Sequence, residues 1–269
     1  MSSLAATLAD SAVITKRNLI KVRRVPDLIV FATLSPIMFV LLFRYVFGGA
    51  IGGLPPGVSY AEFLLPGIFA QTVVFGSTTT GASIAEDLQK GLVDRFRSLP
   101  MARSAVLVGR TVADLGLNAI SIAVMALTGL VVGWRINSSF GEAVGGFLVL
   151  LVFAYAVSWL MAVVGLLVRT PEVVNNASFI VIFPLTFVAN TFVPLETFPS
   201  VLRTFAEWNP VSAVTLASRE LFGNVPPGYP VPDVWALQNP VLYTLLWTAL
   251  ILAVFVPLSV RLYQRTTTR

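Results

Sequence analysis

The chain has 269 residues, of which 56% are hydrophobic and 12% charged, with a mean hydropathy of +0.84 and a net charge of +5. A soluble domain carries about 25% charged residues, so this composition excludes one and specifies an integral membrane protein. The chain has no cysteine and no histidine, which removes disulfides, thiolate nucleophiles, the commonest metal ligand and the commonest general base.

The first 25 residues place Leu4, Leu8, Ala12, Leu19 and Val22 on one helical face, with Asp10, Arg17, Lys21 and Arg24 opposite. The pattern predicts a basic interfacial helix on an anionic inner leaflet, ended at Pro26; a basic disordered tail is the other reading. Six windows of about 17–25 residues are then nearly free of charge, the length a transmembrane helix requires. They predict spans over 28–47, 63–85, 111–133, 143–168, 177–193 and 240–262. No small-residue cleavage site follows the first run, so it is expected to stay as an anchor.

The second span carries Gln71 and the run Ser77, Thr78, Thr79, Thr80, Gly81. Such residues either let helices approach closely or line a path. After it comes the long charged stretch between apolar spans, residues 86–101, EDLQKGLVDRFRSLPM. On a helix, Leu88, Leu92, Phe96 and Leu99 form one stripe and Asp87, Lys90, Asp94 and Arg97 fall opposite. This predicts an amphipathic helix ended by Pro100, too short to cross a bilayer core of about 30 Å and suited to docking a cytoplasmic partner.

In the third span Arg110, Asp114 and Asn118 stand four residues apart on one face, a structural pairing near the cytoplasmic end. The fifth span contains Pro184, a kink that neighbours must satisfy. Between it and the last span, residues 194–223 predict a hairpin of two short amphipathic helices, re-entrant or interfacial. Val201, Leu202, Phe205 and Trp208 share a face there, with Arg203 and Glu207 opposite. Asn209 and Pro210 supply a helix cap and first residue, and Gly223 a stop.

With the N-terminus inside, the inner segments hold fourteen of the 18 Lys and Arg residues, and the outer side keeps Arg44, Arg135, Arg203 and Arg219. This asymmetry puts both termini in the cytoplasm, the charged loop inside and the hairpin outside. The chain contains no phosphate-binding GxxxxGK[ST] loop. The central parts of the spans lack Asp, Glu and His, which disfavours a proton or sodium relay. What is left is a passive path powered by another protein, and no nucleic-acid partner is expected.

The loop pattern E-D-x-x-x-G-x-x-x-R-F-R-S-L-P and the stretch FVPLETFPSVLRTFAEWNPVSAVTLASRELF resemble the ABC-2 type permeases, above all the permease subunits of bacterial daunorubicin/doxorubicin-type exporters. The likeness covers essentially the whole chain. It implies an all-α, six-span domain over residues 1–269 in the bacterial inner membrane. It also implies a second permease protomer, identical or related, and a cytoplasmic dimer of ATPase subunits that carries ATP and Mg. By that resemblance Glu86, Asp87, Gly91, Arg95, Arg97 and Pro100 belong to a coupling helix. Pro194, Pro199, Trp208, Asn209, Pro210 and Arg219 belong to an outer gate. Gln71, Thr78, Thr79, Asn176, Thr186 and Asn190 take a path-lining role. The implied cargo is a hydrophobic drug-like or lipid-like molecule, with no cofactor bound by the chain itself. An envelope glycan or lipid-linked polymer is the alternative, and a non-transporting sensor or assembly subunit the alternative of another class. The aromatic residues are expected mainly near span ends and in the hairpin, which favours small amphiphiles over a glycan.

Overall fold

The computed structural model describes residues 4–24, 27–48, 59–91, 103–168, 170–225 and 231–266, and among them every regular element is a helix. In chain order these are α1 (Leu4–Arg24), α2 (Asp27–Leu41) running on into a π-helical turn (Leu42–Phe47), α3 (Tyr60–Gly76), α4 (Thr78–Gln89), α5 (Arg103–Val132) and α6 (Phe140–Leu167). They are followed by α7 (Pro171–Phe187), a 3-10 turn (Leu195–Thr197), α8 (Ser200–Glu207), α9 (Pro210–Leu221), α10 (Trp235–Gln238) and α11 (Pro240–Thr266). Among the described residues three stretches are long and apolar enough to cross a membrane, Ser104–Val132, Phe140–Leu167 and Pro240–Arg265. Thr33–Val46 and Pro171–Phe187 are shorter apolar helices.

The starts of the helices follow local chemistry. Ser59 and Ser139 each form a capping box, with Glu62 and Glu142 three residues on, so orphan amides at the heads of α3 and α6 are satisfied reciprocally. Thr170 caps α7 ahead of Pro171, and Asn209 caps α9 ahead of Pro210. Ser77 divides α3 from α4 yet keeps helical dihedrals (φ −66°, ψ −17°), so the two follow one another with a local irregularity. Its hydroxyl donates to Val73 O at 2.7 Å and to Ala154 O at 3.1 Å, which fixes the irregular turn against α6.

The centre of the bundle is α6, packed against α4, α5, α9 and α11. Glycines bring α4 and α6 into near backbone contact. A Cβ on Gly165 would lie 2.3 Å from Gly81 O, and one on Gly81 would lie 2.6 Å from Met161 O. This is the small-residue packing that apolar helices use when no hydrophobic force separates protein from lipid.

Three features differ from the expectation drawn from periodicity. First, α1 rests on α5 through Ser11, Ile14 and Asn18, which are buried, while Val13 and Ile20 are exposed. Its protein-facing stripe thus lies beside the face assigned to lipid. Second, Glu86, Asp87, Leu88 and Gln89 form the last turn of α4, and the helix stops at Lys90 and Gly91. Gly91 has φ +65°, a left-handed conformation that closes a helix and that glycine adopts without a Cβ penalty. Arg95, Arg97 and Pro100 lie outside the described residues. Third, α9 is not amphipathic in place, because residues 211–219 are all buried. Its side chains are small, and Ser218 bonds back to Val214 O and Thr215 O at 2.9 Å each, so that hydroxyl enters the core at little cost.

Replacing Gly165 by isoleucine is expected to destabilise the protein by about 1–3 kcal/mol through overpacking. Thermal unfolding in detergent measures this; an unchanged midpoint would show that the α4/α6 approach is slack.

Candidate functional site

Beyond the Pro184 kink α7 ends at Phe187, about 25 Å long and short of a bilayer core. Its last carbonyls therefore need partners other than the next turn of helix. The hairpin supplies them. The Asn209 amide donates to Leu185 O at 2.7 Å and Val188 O at 2.8 Å, while its oxygen accepts from Val211 N at 2.9 Å. The Arg219 guanidinium, 3% exposed, donates to Asn190 O at 2.6 Å, Thr191 O at 3.3 Å and, across the bundle, Phe63 O at 2.8 Å. It also lies 3.7 Å from the centre of the Phe63 ring. Ser212 accepts from Asn190 N at 3.2 Å. One buried clamp thus joins α3, the end of α7 and α9.

Of the other predicted gate residues, Pro194 is buried ahead of the 3-10 turn and Pro199 is an exposed cap of α8. Trp208 is half exposed, and its carbonyl accepts from Tyr243 Oη at 2.9 Å. Asn209, Pro210 and Arg219 come together in the clamp; Pro199 and Trp208 stand outside it.

Inward from the clamp lies a cavity of about 370 Å³ between α2, α3, α4, α5 and α7. Phe39, Phe75, Phe179, Phe183 and Phe187 form its apolar lining, and Ser35, Gln71, Thr72, Thr79 and Ser121 its polar part. None of the described residues lining it is ionisable. The rings of Phe179, Phe183 and Phe187 follow one another along α7 at centroid separations of 4.9 and 4.1 Å. The row continues through Phe192 to Phe43 at 5.0 and 4.4 Å. Of these, Phe43, Phe179 and Phe192 lie near the ends of the expected spans, and Phe183 and Phe187 lie within the fifth. Their i, i+4 spacing on α7 was the available signal, and a single-face ladder of rings could have been read from it.

Of the residues assigned a lining role, Gln71 and Thr79 face the cavity. Thr78 bonds Phe75 O at 2.7 Å, Thr186 is buried and bonds Ile182 O at 2.8 Å, and Asn190 belongs to the clamp. Asn176 is exposed on α7.

A second polar cluster sits one turn below the cavity. Thr80 on α4 donates to Asp114 Oδ2 at 2.7 Å; Arg110 lies 3.9 Å from the same oxygen and donates to Asn18 on α1 at 3.3 Å. All four are buried, so α1, α4 and α5 share one charged joint. Further along α4, Lys90 is ion-paired with Glu86. That hydrogen bond and the Glu86 charge hold the Lys90 ammonium above the usual lysine range.

Residues 11–222 match the family described as ABC-2 type transporter. The chain is 36% identical over 262 residues to the daunorubicin resistance ABC transporter permease protein DrrB1 of Streptomyces coeruleorubidus, covering 97% of this chain and 88% of that one. It is 25% identical over 262 residues to the doxorubicin resistance ABC transporter permease protein DrrC of Mycobacterium tuberculosis, covering 97% and 90%.

Arg219→Met is expected to destabilise the protein by about 3 kcal/mol, because carbonyls that it satisfies become buried and unmet. Arg203→Met, which breaks only the α8 pair with Glu207, should cost less than about 1 kcal/mol. Unfolding midpoints of the two variants give the comparison, and equal shifts would contradict the clamp.

Proposed function

The chain belongs to the ABC-2 type transporter family, and from that footing we propose that it is the membrane permease of an ATP-driven exporter of hydrophobic, drug-like molecules. The observation that carries the cargo class is the cavity: ring-lined, sparsely polar and without an ionisable described residue. Moving an ion through it would mean stripping hydration with nothing offered in return, whereas an apolar molecule enters at modest cost. An aromatic lining would also serve a glycan. A glycan, however, presents a hydroxyl at almost every carbon, and the few polar groups here would leave most of them unmet. The relatives named for daunorubicin and doxorubicin resistance support the same cargo class.

In this reading the six apolar stretches span the inner membrane with both termini inside, and the hairpin that holds α9 dips into the outer half. A second copy or related chain completes the path, and a cytoplasmic ATPase pair binds ATP and Mg. The chain carries no phosphate-binding loop of its own. Movement reaches the cavity through α4. This helix starts at the cavity wall, is tied by Thr80 to Asp114 of α5, and ends at Lys90 and Gly91, where the cytoplasmic segment begins. Glu86, Asp87, Gly91, Arg95, Arg97 and Pro100 are the coupling residues, and the clamp with its neighbouring Pro194, Pro199 and Trp208 is the outer gate.

The test is ATP-dependent dye accumulation in inside-out vesicles holding the chain with the Walker-motif ATPase that co-purifies from its native membrane. Gly91→Val forces a branched residue to φ +65°, a strain of about 1–2 kcal/mol. It is expected to cut ATP-driven accumulation at least about fivefold while membrane insertion is unchanged. Accumulation without ATP would refute the exporter, and absence of any associated ATPase would support the sensor or assembly role.

A further inference from the structure

We propose that residues 76–79 form a hinge between α3 and α4, pinned to α6 by Ser77 and splinted from α5 by Asn118 and Asp114, so that α4 swings against α3 when the splint releases. What the swing does to a cargo rests on the permease reading; the hinge stands on its own geometry.

Three successive hydroxyls turn back onto the chain at this point. Ser77 donates to Val73 O, Thr78 to Phe75 O and Thr79 to Gly76 O, at 2.7 Å each. Such bonds compete with helical pairing and bend a helix. Thr128 and Thr244 make single bonds of this kind inside helices that stay continuous. At 76–79 the three together coincide with a break. There Thr80 N reaches Ser77 O, three residues back, at 3.2 Å, the tighter 3-10 spacing often found at hinges within longer helices. Gly76 and Thr79 line the cavity, so a change of angle here changes its wall.

The packing divides at the same turn. α3 is fastened on the hairpin side by Arg219 on Phe63 O, and by Gly67, where a Cβ would lie 2.5 Å from Thr191 O. α4 is fastened to α6 through Gly81 and Gly165, and packs on α7. The Ser77 hydroxyl, donating to Ala154 O of α6, sits between the two bodies as the pivot. A few residues between packed bodies are what a hinge requires. α5 bridges the turn. Asn118, 2% exposed, lies against Gly76 in the space that a Cβ there would fill, and Asp114 accepts from Thr80 at 2.7 Å. Gly76 and Thr80 are four residues apart, as are Asp114 and Asn118, so the two helices match turn for turn across the break. This gives the polar row of α5 a task. Arg110 lies beside the Asp114 carboxylate, and Asp114 and Asn118 hold the two sides of the turn. α4 touches α5 little beyond this joint, so the Thr80 bond is the tie that a swing must break.

Because the chain has no cysteine, nitroxide labels can be placed at Gln89→Cys on α4 and Val112→Cys on α5, both exposed. Their separation is read by double electron–electron resonance on the full chain in lipid nanodiscs. The lever from Thr80 to Gln89 is about 14 Å long, so a bend of about 20°, where helix kinks become sharp, moves its far end by about 5 Å. The parent chain should give one narrow distance. Thr80→Val should add a second population displaced by about 5 Å, and Thr80→Ser, which keeps the hydroxyl, should not. Gly76→Ala should act as Thr80→Val does, and Gly76→Ala combined with Asn118→Ala, which restores the space, should return the single distance. One unchanged distance in both Thr80→Val and Gly76→Ala would show a fixed kink and overturn the hinge. A second population in Thr80→Ser would overturn the splint. In vesicles with the co-purifying ATPase, Thr80→Val should keep ATP hydrolysis and lower ATP-driven dye accumulation at least about fivefold. The expected distances in a complex that accumulates no dye in any form would leave the hinge standing and sink the exporter. Accumulation untouched by Thr80→Val, with unchanged distances, would do the reverse.

Discussion

Where α7 stops at Phe187, short of the length of a membrane core, its free carbonyls must be met from within the protein, and the hairpin that follows is arranged to meet them. Asn209 takes two of them and Arg219 takes those of the following turn. Both residues sit on the cap and last turn of α9, which is why that helix is buried on all sides between α3, α6 and α11. The favourable position of a cation in the final turn of a helix adds to the clamp. A charge that would be costly in an apolar setting is thereby tied to three carbonyl oxygens, one on α3 and two in the turn after α7, so the hairpin is held to both.

Below this clamp the same helices diverge enough to leave the ring-lined cavity, and below the cavity they are joined again by Asp114, Arg110, Thr80 and Asn18. The cavity is thus bounded on each side by a buried polar joint, one made of an arginine on carbonyls and the other of an ion pair with hydrogen-bonded flanks. α3 and α4 together reach from one joint to the other, with the irregular turn at Ser77 between them at the level of the cavity wall. In the proposed coupling, an element of that kind would carry a push at Gly91 to Gly76 and Thr79, both of which line the cavity. Such coupling requires only that the two ends of α4 share one rigid body.

Local chemistry was legible in the residues. The Asn209 cap, Pro210 as first helical residue and Gly223 as a left-handed stop follow from propensities that hold in any context. The apolar lengths of α5, α6 and α11 likewise mark themselves. What periodicity could not show is which face meets which neighbour. The stripe through Leu88 and Leu92 reads as one amphipathic helix only if Gly91 is helical, and its left-handed φ ends α4 there instead. The all-round burial of α9 depends on Arg219 reaching Phe63, a contact 156 residues apart in the chain. The cavity is drawn from five helices, so only Gln71 and Thr79 among the lining residues named from the second and fifth spans face it. The signal for Phe179, Phe183 and Phe187 lay in their plain i, i+4 spacing.

In the proposed permease the cavity opens alternately to the two sides of the membrane, driven by nucleotide on a partner. Because the chain has no cysteine, a single cysteine placed at Thr79 can be labelled without background. In the assembled complex this residue should react with a membrane-impermeant maleimide from the cytoplasmic side without nucleotide, and from the outer side when the ATPase is trapped with ATP and vanadate. Labelling from one side only, at the same rate in both states, would contradict an alternating path and leave the cavity as a static feature of the fold.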